Sequence, residues 1–318
     1  MARVANTRKQ ISVAIPVYKP NIGFLQETLT SVFNCGVDHE LLEVIVVNDF
    51  STDDTVSNLI DNYSGSVKYY KNQLSLGIAG NWNRCIELAT CEWIHILHQD
   101  DLVLPGFYQE LLETQRKNGI EAFVSRCFLI NDHGNITSVS RLEQEAAGFM
   151  EGAPDKVIQT NTIQCPSIVV KKDVYSTIGG FNPGLKYVLD WEMWFRVSLN
   201  YQIWYVPKPL VCFRQHSMSE TSRVKASGES ARDIIKGVSI VSEYAPSFVL
   251  KAREYGARHI VNTAIEFLMI RRWKEAAYQL TLASLCLPQV VARLNYLKCW
   301  MWCLRIVIKK GLLKIVGQ

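Results

Sequence analysis

Acidic residues and a histidine follow a short apolar segment near position 100 of the chain. The segment WIHIL at 93–97 leads directly into His98, and Asp100 and Asp101 come two and three residues later. Adjacent carboxylates beside an imidazole are suited to a hard divalent cation such as Mg²⁺ or Mn²⁺. Such an ion would bridge two phosphates and stabilise the charge of a leaving diphosphate. The alternative for these residues is a polar turn.

A second acidic position lies earlier in the chain. Asp49 follows the apolar segment LEVIVVN at 42–48. It can belong to a loop that caps a helix, or it can accept hydrogen bonds from a nucleobase or from ribose hydroxyls. No Gly-x-Gly-x-x-Gly or Gly-x-x-x-x-Gly-Lys-Ser/Thr motif occurs, so neither standard glycine-rich loop can hold a phosphate. A bound diphosphate would therefore need another group, such as a cation, to neutralise its charge.

The first hundred residues alternate short apolar segments with segments of helical period, which predicts βα units and a mostly parallel sheet. The predicted strands lie at 11–17, 42–48, 67–71 and 93–97. Ligands of such sheets bind outside the carboxyl ends of the strands, so the acidic residues are expected at one edge. The predicted fold class is therefore α/β, with a Rossmann-like sheet flanked by helices.

The remainder of the chain is less regular. Residues 217–233 have almost no large apolar side chain and are predicted to form a mobile loop or linker, after which the pattern is helical. We predict two domains, a larger α/β domain over 1–225 and a helical C-terminal region over 226–318. The other predicted elements are strands at 122–130, 167–171 and 203–206 and a helix at 190–200.

Composition excludes several classes of protein. The 318 residues are 48% hydrophobic and 20% charged, which suits one large or two ordinary globular domains and rules out a disordered or collagen-like chain. The nine cysteines include no Cys-x-x-Cys pair, so neither a disulfide framework nor a zinc ribbon is indicated. The first ten residues contain no apolar signal segment. We expect a protein of the reducing cytoplasm.

The charge is unevenly distributed along the chain. Glu275 is the last acidic residue, and six basic residues follow it. A basic tail favours an anionic surface, with a membrane as the leading candidate, and argues against a nucleic-acid groove through the main domain. Residues 294–318 combine tryptophan and aliphatic residues with these charges, so they can lie in the membrane interface or pack on the domain. We expect association with the inner face of the cytoplasmic membrane.

Five segments in order resemble glycosyltransferase family 2, the inverting nucleotide-sugar transferases of the GT-A fold. The resemblance covers roughly residues 9–220. The segments that carry it are VAIPVYKPN, EVIVVNDFSTDDT, LGIAGNWNRCIELATCEWIHILHQDD, GGFNPGLKYVLDWEMWFRVS and FRQHSMS. The domain over 1–225 would then be the catalytic one. The implied donor is a nucleotide-diphosphate sugar, with UDP favoured, and the implied cofactor is Mn²⁺ or Mg²⁺.

The resemblance assigns roles residue by residue. Asp49 would contact a uracil-type base, and Asp100 would hold the ion and the diphosphate, with Asp101 close by. His98 stands where the family has the first aspartate of its metal motif, and His216 would complete the metal or phosphate site. The other residues implied on the donor side are Pro16, Val17, Tyr18, Asn81 and Arg84.

On the acceptor side, Asp190 would be the catalytic base that deprotonates the attacking hydroxyl. The residues that follow it, Trp191 and Glu192, are expected to face the acceptor, with Trp191 able to stack on a sugar. Arg214 either pairs with the diphosphate or caps a strand. Together the resemblance and the basic tail imply transfer to a glycan or lipid-linked acceptor in cell-surface polysaccharide or lipopolysaccharide synthesis. The alternative is a non-catalytic nucleotide-binding or scaffold protein on the same fold.

Overall fold

The computed structural model describes residues 9–50, 54–63, 65–288, 296–297 and 300–301. These residues divide into two compact units. The first unit comprises residues up to 157 together with 161–184 and 189–216, and the second comprises 158–160, 185–188 and the chain from 217. The predicted domain limits at 225 and 226 stay a prediction.

The first unit contains a single sheet, in which the described residues form ten strands. Eight of them lie in the order β3-β2-β1-β4-β9-β6-β10-β5, while β7 pairs with β6 and β8 pairs with β10. The strands are β1 (Ile11–Val17), β2 (Leu42–Asn48), β3 (Val67–Lys71), β4 (Trp93–Ile96), β5 (Leu102–Val103), β6 (Ala122–Ile130), β7 (Ile136–Val139), β8 (Gly148–Phe149), β9 (Ile168–Lys171) and β10 (Ile203–Arg214).

The predicted parallel arrangement is confirmed for the first four strands along the path, β3, β2, β1 and β4. The rest of the sheet is mixed, because β9 runs antiparallel to both β4 and β6 while β10 runs parallel to β6. The register pairs Val17 with Asn48 and Ala14 with Ile96. The segments that follow β1, β2 and β4 therefore leave the sheet at one edge.

Helices cover the sheet and form the second unit. Residues of α1 such as Leu25, Leu29 and Val32 pack against strands whose residues are all buried, β1 and β2. Strands buried on both faces need no alternation of polar and apolar residues, which explains their continuous apolar sequence. The helices are α1 (Ile22–Phe33), α2 (Thr55–Asp61), α3 (Gly77–Leu88), α4 (Phe107–Asn118), α5 (Ala153–Thr160), α6 (Lys172–Ile178), α7 (Leu189–Asn200), α8 (Glu220–Ser227), α9 (Ser230–Tyr244), α10 (Val249–Met269) and α11 (Trp273–Cys286).

The second unit is helical, as predicted, and its helices approach closely. A Cβ atom on Gly256 of α10 would lie 2.9 Å from Ile234 of α9 and 3.0 Å from the Sγ of Cys286 in α11. Real Cβ contacts are longer, so only glycine allows this spacing. Among the described residues, no helix has both the length and the apolar character needed to cross a bilayer. Most of the predicted membrane segment at 294–318 lies outside the described residues.

The predicted mobile loop at 217–233 is wrong, because helix α8 and the start of α9 occupy it. The hydroxyl of Ser219 accepts a hydrogen bond from the backbone N–H of Ser222 and caps α8. Small apolar side chains anchor this segment, since Val224 and Ala231 are 4% and 0% exposed. The absence of large apolar residues was therefore a misleading signal.

Candidate active site

The loops that follow β1 and β4 are joined through the side chain of Gln99. The backbone N–H of Tyr18 donates to its Oε1 at 2.9 Å, and its Nε2 donates to the carbonyl of Tyr18 at 3.3 Å. Pro16 and Val17 are buried in β1, whereas the Tyr18 side chain is 46% exposed. Of these three predicted donor-side residues, only Tyr18 presents its side chain at the surface of the sheet edge.

Asp49 lies at the carboxyl end of β2 and is almost fully buried. Its carboxylate accepts hydrogen bonds from Ser75 Oγ at 2.8 Å and from the backbone N–H groups of Leu76 and Gly77 at 2.7 and 3.0 Å. Asn72 Nδ2 donates a fourth, at 3.0 Å. Asp49 therefore binds the first residues of α3, where the helix dipole favours a negative charge. Its contact with a nucleobase stays a prediction.

Two other predicted donor-side residues lie on α3. Asn81 is 3% exposed, and its amide donates to the carbonyl of Val47 at 3.1 Å while accepting from Asn72. It thus fixes the end of β2. Arg84 lies on the outer surface of the helix, where its guanidinium pairs with Glu87 at 2.8 Å.

His98, Asp100 and Asp101 form an acidic cluster at the end of β4. Each offers one potential ligand atom, and these atoms lie within 4.8 Å of one another. Asp101 is fully buried, and its Oδ2 lies 3.4 Å from Nδ1 of His98. Burial raises the pKa of Asp101 to about 6, an effect that the neighbouring His98 partly offsets.

The donor set of the acidic cluster fits a divalent cation. Asp101 Oδ2 and His98 Nε2 are buried, and neither has a hydrogen-bond partner among the described residues. A buried carboxylate oxygen without a donor is costly unless another group compensates its charge. Carboxylate oxygens with one imidazole nitrogen are ligands that Mn²⁺ and Mg²⁺ accept.

The end of β10 holds the acidic cluster in place. The backbone N–H of Arg214 donates to Asp101 Oδ1 at 2.8 Å, and its Nε donates to the carbonyl of Asp100 at 2.9 Å. Its guanidinium also binds the carboxylate of Glu27 and lies 4.3 Å from the ring centre of Phe24. Arg214 is 2% exposed, so of its two predicted roles the structure supports the structural one.

His216 lies beside the acidic cluster. Its Nε2 lies 2.7 Å from Asp100 Oδ2, and its ring contacts Phe24 edge-on at 5.2 Å between centroids. Residues separated by more than a hundred positions in the chain are thereby brought to one point. The binding of an ion by His216 remains a prediction.

Asp190 is the second residue of α7, and its side chain is mostly buried. Its Oδ1 accepts from the backbone N–H of Trp191 at 2.7 Å, and Asn161 Nδ2 lies 3.5 Å from its Oδ2. Burial raises the pKa of Asp190 above its usual 3.8, while the charge of His98 acts in the opposite direction. A carboxylate with a raised pKa is suited to accept a proton near neutral pH.

The two residues after Asp190 do not face solvent, contrary to the expected acceptor contact. Trp191 is 0% exposed, so its ring cannot stack on a sugar in this conformation. Glu192 is 2% exposed and pairs with Arg196, whose Nε and Nη2 both lie 2.9 Å from its carboxylate. Arg196 also donates to the carbonyls of Ile178 and Gly180. Helical periodicity turns these side chains inward.

Asn83 is an organising residue that the sequence did not reveal. Its Oδ1 accepts from the backbone N–H of Phe181 at 2.7 Å, and its Nδ2 donates to the carbonyl of the same residue at 2.9 Å. A Cβ atom on Gly180 would clash with Asn83 Oδ1. The two adjacent glycines before Phe181 could indicate a constrained turn. Asn83, which binds this turn, lies 98 positions away from Phe181, and no local sequence pattern identifies it.

A series of aromatic contacts connects Phe181 with the acidic cluster. The ring of Phe181 contacts Trp82 at 4.9 Å and Trp194 at 5.7 Å, and Trp82 in turn lies 4.7 Å from His98. These aromatic contacts therefore pack α3 and α7 beside the acidic cluster.

Known proteins are similar to this chain in sequence. The family model of Glycosyl transferase family 2 matches residues 12–179. An uncharacterized glycosyltransferase of Haemophilus influenzae is 22% identical over 84% of this chain and 88% of its own length. The GalNAc(5)-diNAcBac-PP-undecaprenol beta-1,3-glucosyltransferase of Campylobacter jejuni is 31% identical over 40% of this chain and 41% of its own length.

Among solved structures, residues 1–349 of TarS from Staphylococcus aureus, in complex with UDP-GlcNAc, match with a TM-score of 0.66. The match covers 89% of this chain and 82% of that one, at 15% identity. This likeness confirms the GT-A fold that the sequence predicts.

Proposed function

Since this chain belongs to glycosyltransferase family 2, we propose that it transfers a sugar from a UDP-sugar to a hydroxyl group of a glycan or lipid-linked acceptor, with inversion at the anomeric carbon. The observation that carries the proposal is the position of the acidic cluster. His98, Asp100 and Asp101 lie at the sheet edge where β1 and β2 also end, and the charge of His98 acts on the carboxyl group of Asp190.

The acidic cluster and His216 are the proposed ligands of Mn²⁺ or Mg²⁺. When bound, the cation would neutralise the diphosphate and stabilise it as a leaving group. The protein's own contribution is to hold the ligands in position. Arg214 does so by binding the backbone of Asp100 and the carboxylate of Asp101.

Asp190 is the proposed catalytic base. Its carboxylate accepts the proton of the acceptor hydroxyl while the hydroxyl oxygen forms a bond to the anomeric carbon. The bond between that carbon and the diphosphate oxygen breaks on the opposite face, and UDP leaves. Asn161 and the backbone N–H of Trp191 fix the orientation of the carboxylate.

The nucleotide is proposed to bind where β1 and β2 end. Tyr18 presents an exposed ring there, and Asp49 shapes the floor of the site by fixing the turn into α3. Arg84 and Asn81 stay candidates for the donor side, although their side chains have partners within the protein.

A lipid-linked acceptor and a role in building the cell envelope are proposed from two sources. The Campylobacter relative is named for transfer to an undecaprenol-linked acceptor, and the basic tail of this chain suits an anionic membrane. The protein would then act at the inner face of the cytoplasmic membrane.

Calorimetric titration with UDP, GDP and dTDP, each with and without Mn²⁺, tests the proposal. We expect UDP to bind only when Mn²⁺ is present. In the Asp100→Asn variant, the Mn²⁺-dependent binding of UDP should be lost, because a ligand of the ion is removed. Asp132→Asn, a change at a side chain 59% exposed, is the matched control and should bind as the unmodified chain does.

Failure to bind any of the three nucleotides would favour the non-catalytic alternative. Metal-independent UDP binding in the unmodified chain would be consistent with a transferase. It would contradict the proposed role of the acidic cluster as a metal site.

A further inference from the structure

The turn between α10 and α11 exposes apolar and basic side chains together. We name residues 269–274 the hairpin tip. Met269 and Ile270 are 71% and 64% exposed, although two adjacent large apolar residues are usually buried. Arg271 and Lys274 are exposed beside them. The tip thus combines an apolar projection with positive charge.

The positive charge of the hairpin tip is only partly paired with acidic side chains. Arg272 pairs with Glu275 at 3.0 Å, and the nearby Glu266 pairs with Lys225 at 2.6 Å. Neither of the two exposed basic residues of the tip forms an ion pair among the described residues. Two cations therefore remain for an external partner.

The backbone conformation of Arg271 indicates a functional role for its side chain. Its φ is +62°, in the left-handed region, and its N–H donates to the carbonyl of Leu268 at 3.1 Å. The N–H of Arg272 donates to the carbonyl of Phe267 at 2.8 Å. This is the helix-terminating pattern in which the left-handed residue is usually glycine. An arginine here carries a conformational cost that glycine would avoid.

We propose that the hairpin tip inserts into the interface of a bilayer containing anionic lipids. The side chains of Met269 and Ile270 would enter the boundary between headgroups and acyl chains, where apolar area leaves water. Arg271 and Lys274 would lie at the level of the headgroup phosphates and be attracted by their charge. This contact is separate from the tail at 294–318, and it does not depend on the sugar-transfer proposal.

Vesicle flotation of the full chain tests the hairpin tip. The vesicles contain phosphatidylcholine either alone or mixed with phosphatidylglycerol. We expect the unmodified chain to float with the mixed vesicles. The double variant Met269→Asp/Ile270→Asp should lower its partition coefficient at least about tenfold, because charged side chains replace the inserting ones.

A matched control uses two exposed leucines at the opposite end of the same helical hairpin. Leu250 and Leu285 are 57% and 69% exposed. Leu250→Asp/Leu285→Asp makes the same change in charge and in apolar area, so flotation should be unchanged. Equal losses in both double variants would overturn the proposal, and so would flotation of the tip variant at the level of the unmodified chain.

The Arg271→Gly variant separates binding from folding. Glycine adopts the left-handed conformation freely, so the thermal midpoint should rise, whereas flotation with the anionic vesicles should fall. A misfolded protein could not produce that combination. Unchanged flotation would overturn the role of Arg271. If the Met269→Asp/Ile270→Asp variant instead changes the mass of the free protein in sedimentation, the tip is a contact between copies and the membrane proposal is wrong.

Discussion

At the scale of single residues, the site depends on carboxylates placed in different surroundings. Asp101 is buried and bound by the backbone of Arg214, Asp100 contacts His216, and Asp190 is held by Asn161. Burial raises the pKa of both Asp101 and Asp190. The partners of the carboxylates, and not the direction of their pKa shifts, therefore distinguish the proposed ion ligands from the proposed base.

Replacement of Asp190 by asparagine tests its role as base. Asp190→Asn should lower turnover on the order of 10²–10⁴-fold, because no group remains to accept the proton, while UDP binding is kept. Steady-state kinetics together with calorimetry measure both quantities. If UDP binding is lost while turnover per bound donor is unchanged, Asp190 acts on the donor side and is not the base.

The raised pKa of Asp190 also predicts a pH dependence. The base works when deprotonated, so kcat/KM should fall as the pH decreases through a midpoint above 3.8, the ordinary value. The folded state binds this proton more tightly than the unfolded chain does. The contribution of Asp190 to stability is therefore favourable at low pH and is lost as the pH rises through the raised pKa.

A comparison of the thermal midpoints of the unmodified chain and the Asp190→Asn variant tests the sign of this contribution to stability. At neutral pH, Asp190→Asn should raise the midpoint, because it removes a buried charge. A lower midpoint at neutral pH would show that the charged carboxylate stabilises the fold.

At the scale of elements, strands place the acidic residues at one edge of the sheet, and helices fix the ends of those strands. The three helices that matter most are α1, α3 and α7, whose side chains bind the ends of distant strands and turns. In α3, Asn83 binds the backbone of Phe181 on both its N–H and its carbonyl. This contact needs the close approach that Gly180 allows.

Replacement of Gly180 by alanine should disrupt this contact. The new Cβ would clash with Asn83 Oδ1, which is held by Phe181, and overpacking of this kind costs about 1–3 kcal/mol. Urea unfolding measures the loss. Gly148→Ala is the matched control, since the nearest atom to its new Cβ lies 3.6 Å away. Equal unfolding free energies for the two variants would show that the turn can move aside.

At the scale of the whole molecule, the two units are not simply consecutive in the chain. Residues 185–188 belong to the second unit, while the next residue, Leu189, begins α7 in the first. The carboxylate of Asp233 in α9 accepts hydrogen bonds from the backbone N–H groups of Lys186, Tyr187 and Val188, at distances from 2.7 to 3.1 Å. Helix α9 therefore fixes residues 186–188 within the second unit.

Removal of the Asp233 carboxylate should weaken this link. Asp233→Ala leaves three backbone donors without their acceptor and should lower the unfolding free energy by about 1.5–3 kcal/mol. Turnover should fall as well, because the segment before Asp190 loses its anchor. Glu229→Ala, which removes a like charge beside the start of α9, is the control. Stability equal to that of the control would mean that water replaces the carboxylate.

The sequence by itself determined several elements of the first unit and the sheet edge that carries the acidic residues. Continuous apolar segments specified β1, β2 and β4, and the parallel arrangement placed Asp49, Asp100 and Asp101 at the same edge. Local patterns carry this information because backbone conformation and burial depend on neighbouring residues. Segment order also identified the family, which the family model confirms.

Only the tertiary structure decided which side chains face the site and which are used within the fold. Trp191 and Glu192 looked suited to an acceptor but are buried, and Arg214 holds the acidic cluster from 113 positions away. Asn83 finds its partner across a similar distance. Such contacts depend on packing between elements that are remote in the chain, so no pattern of spacing along the sequence specifies them.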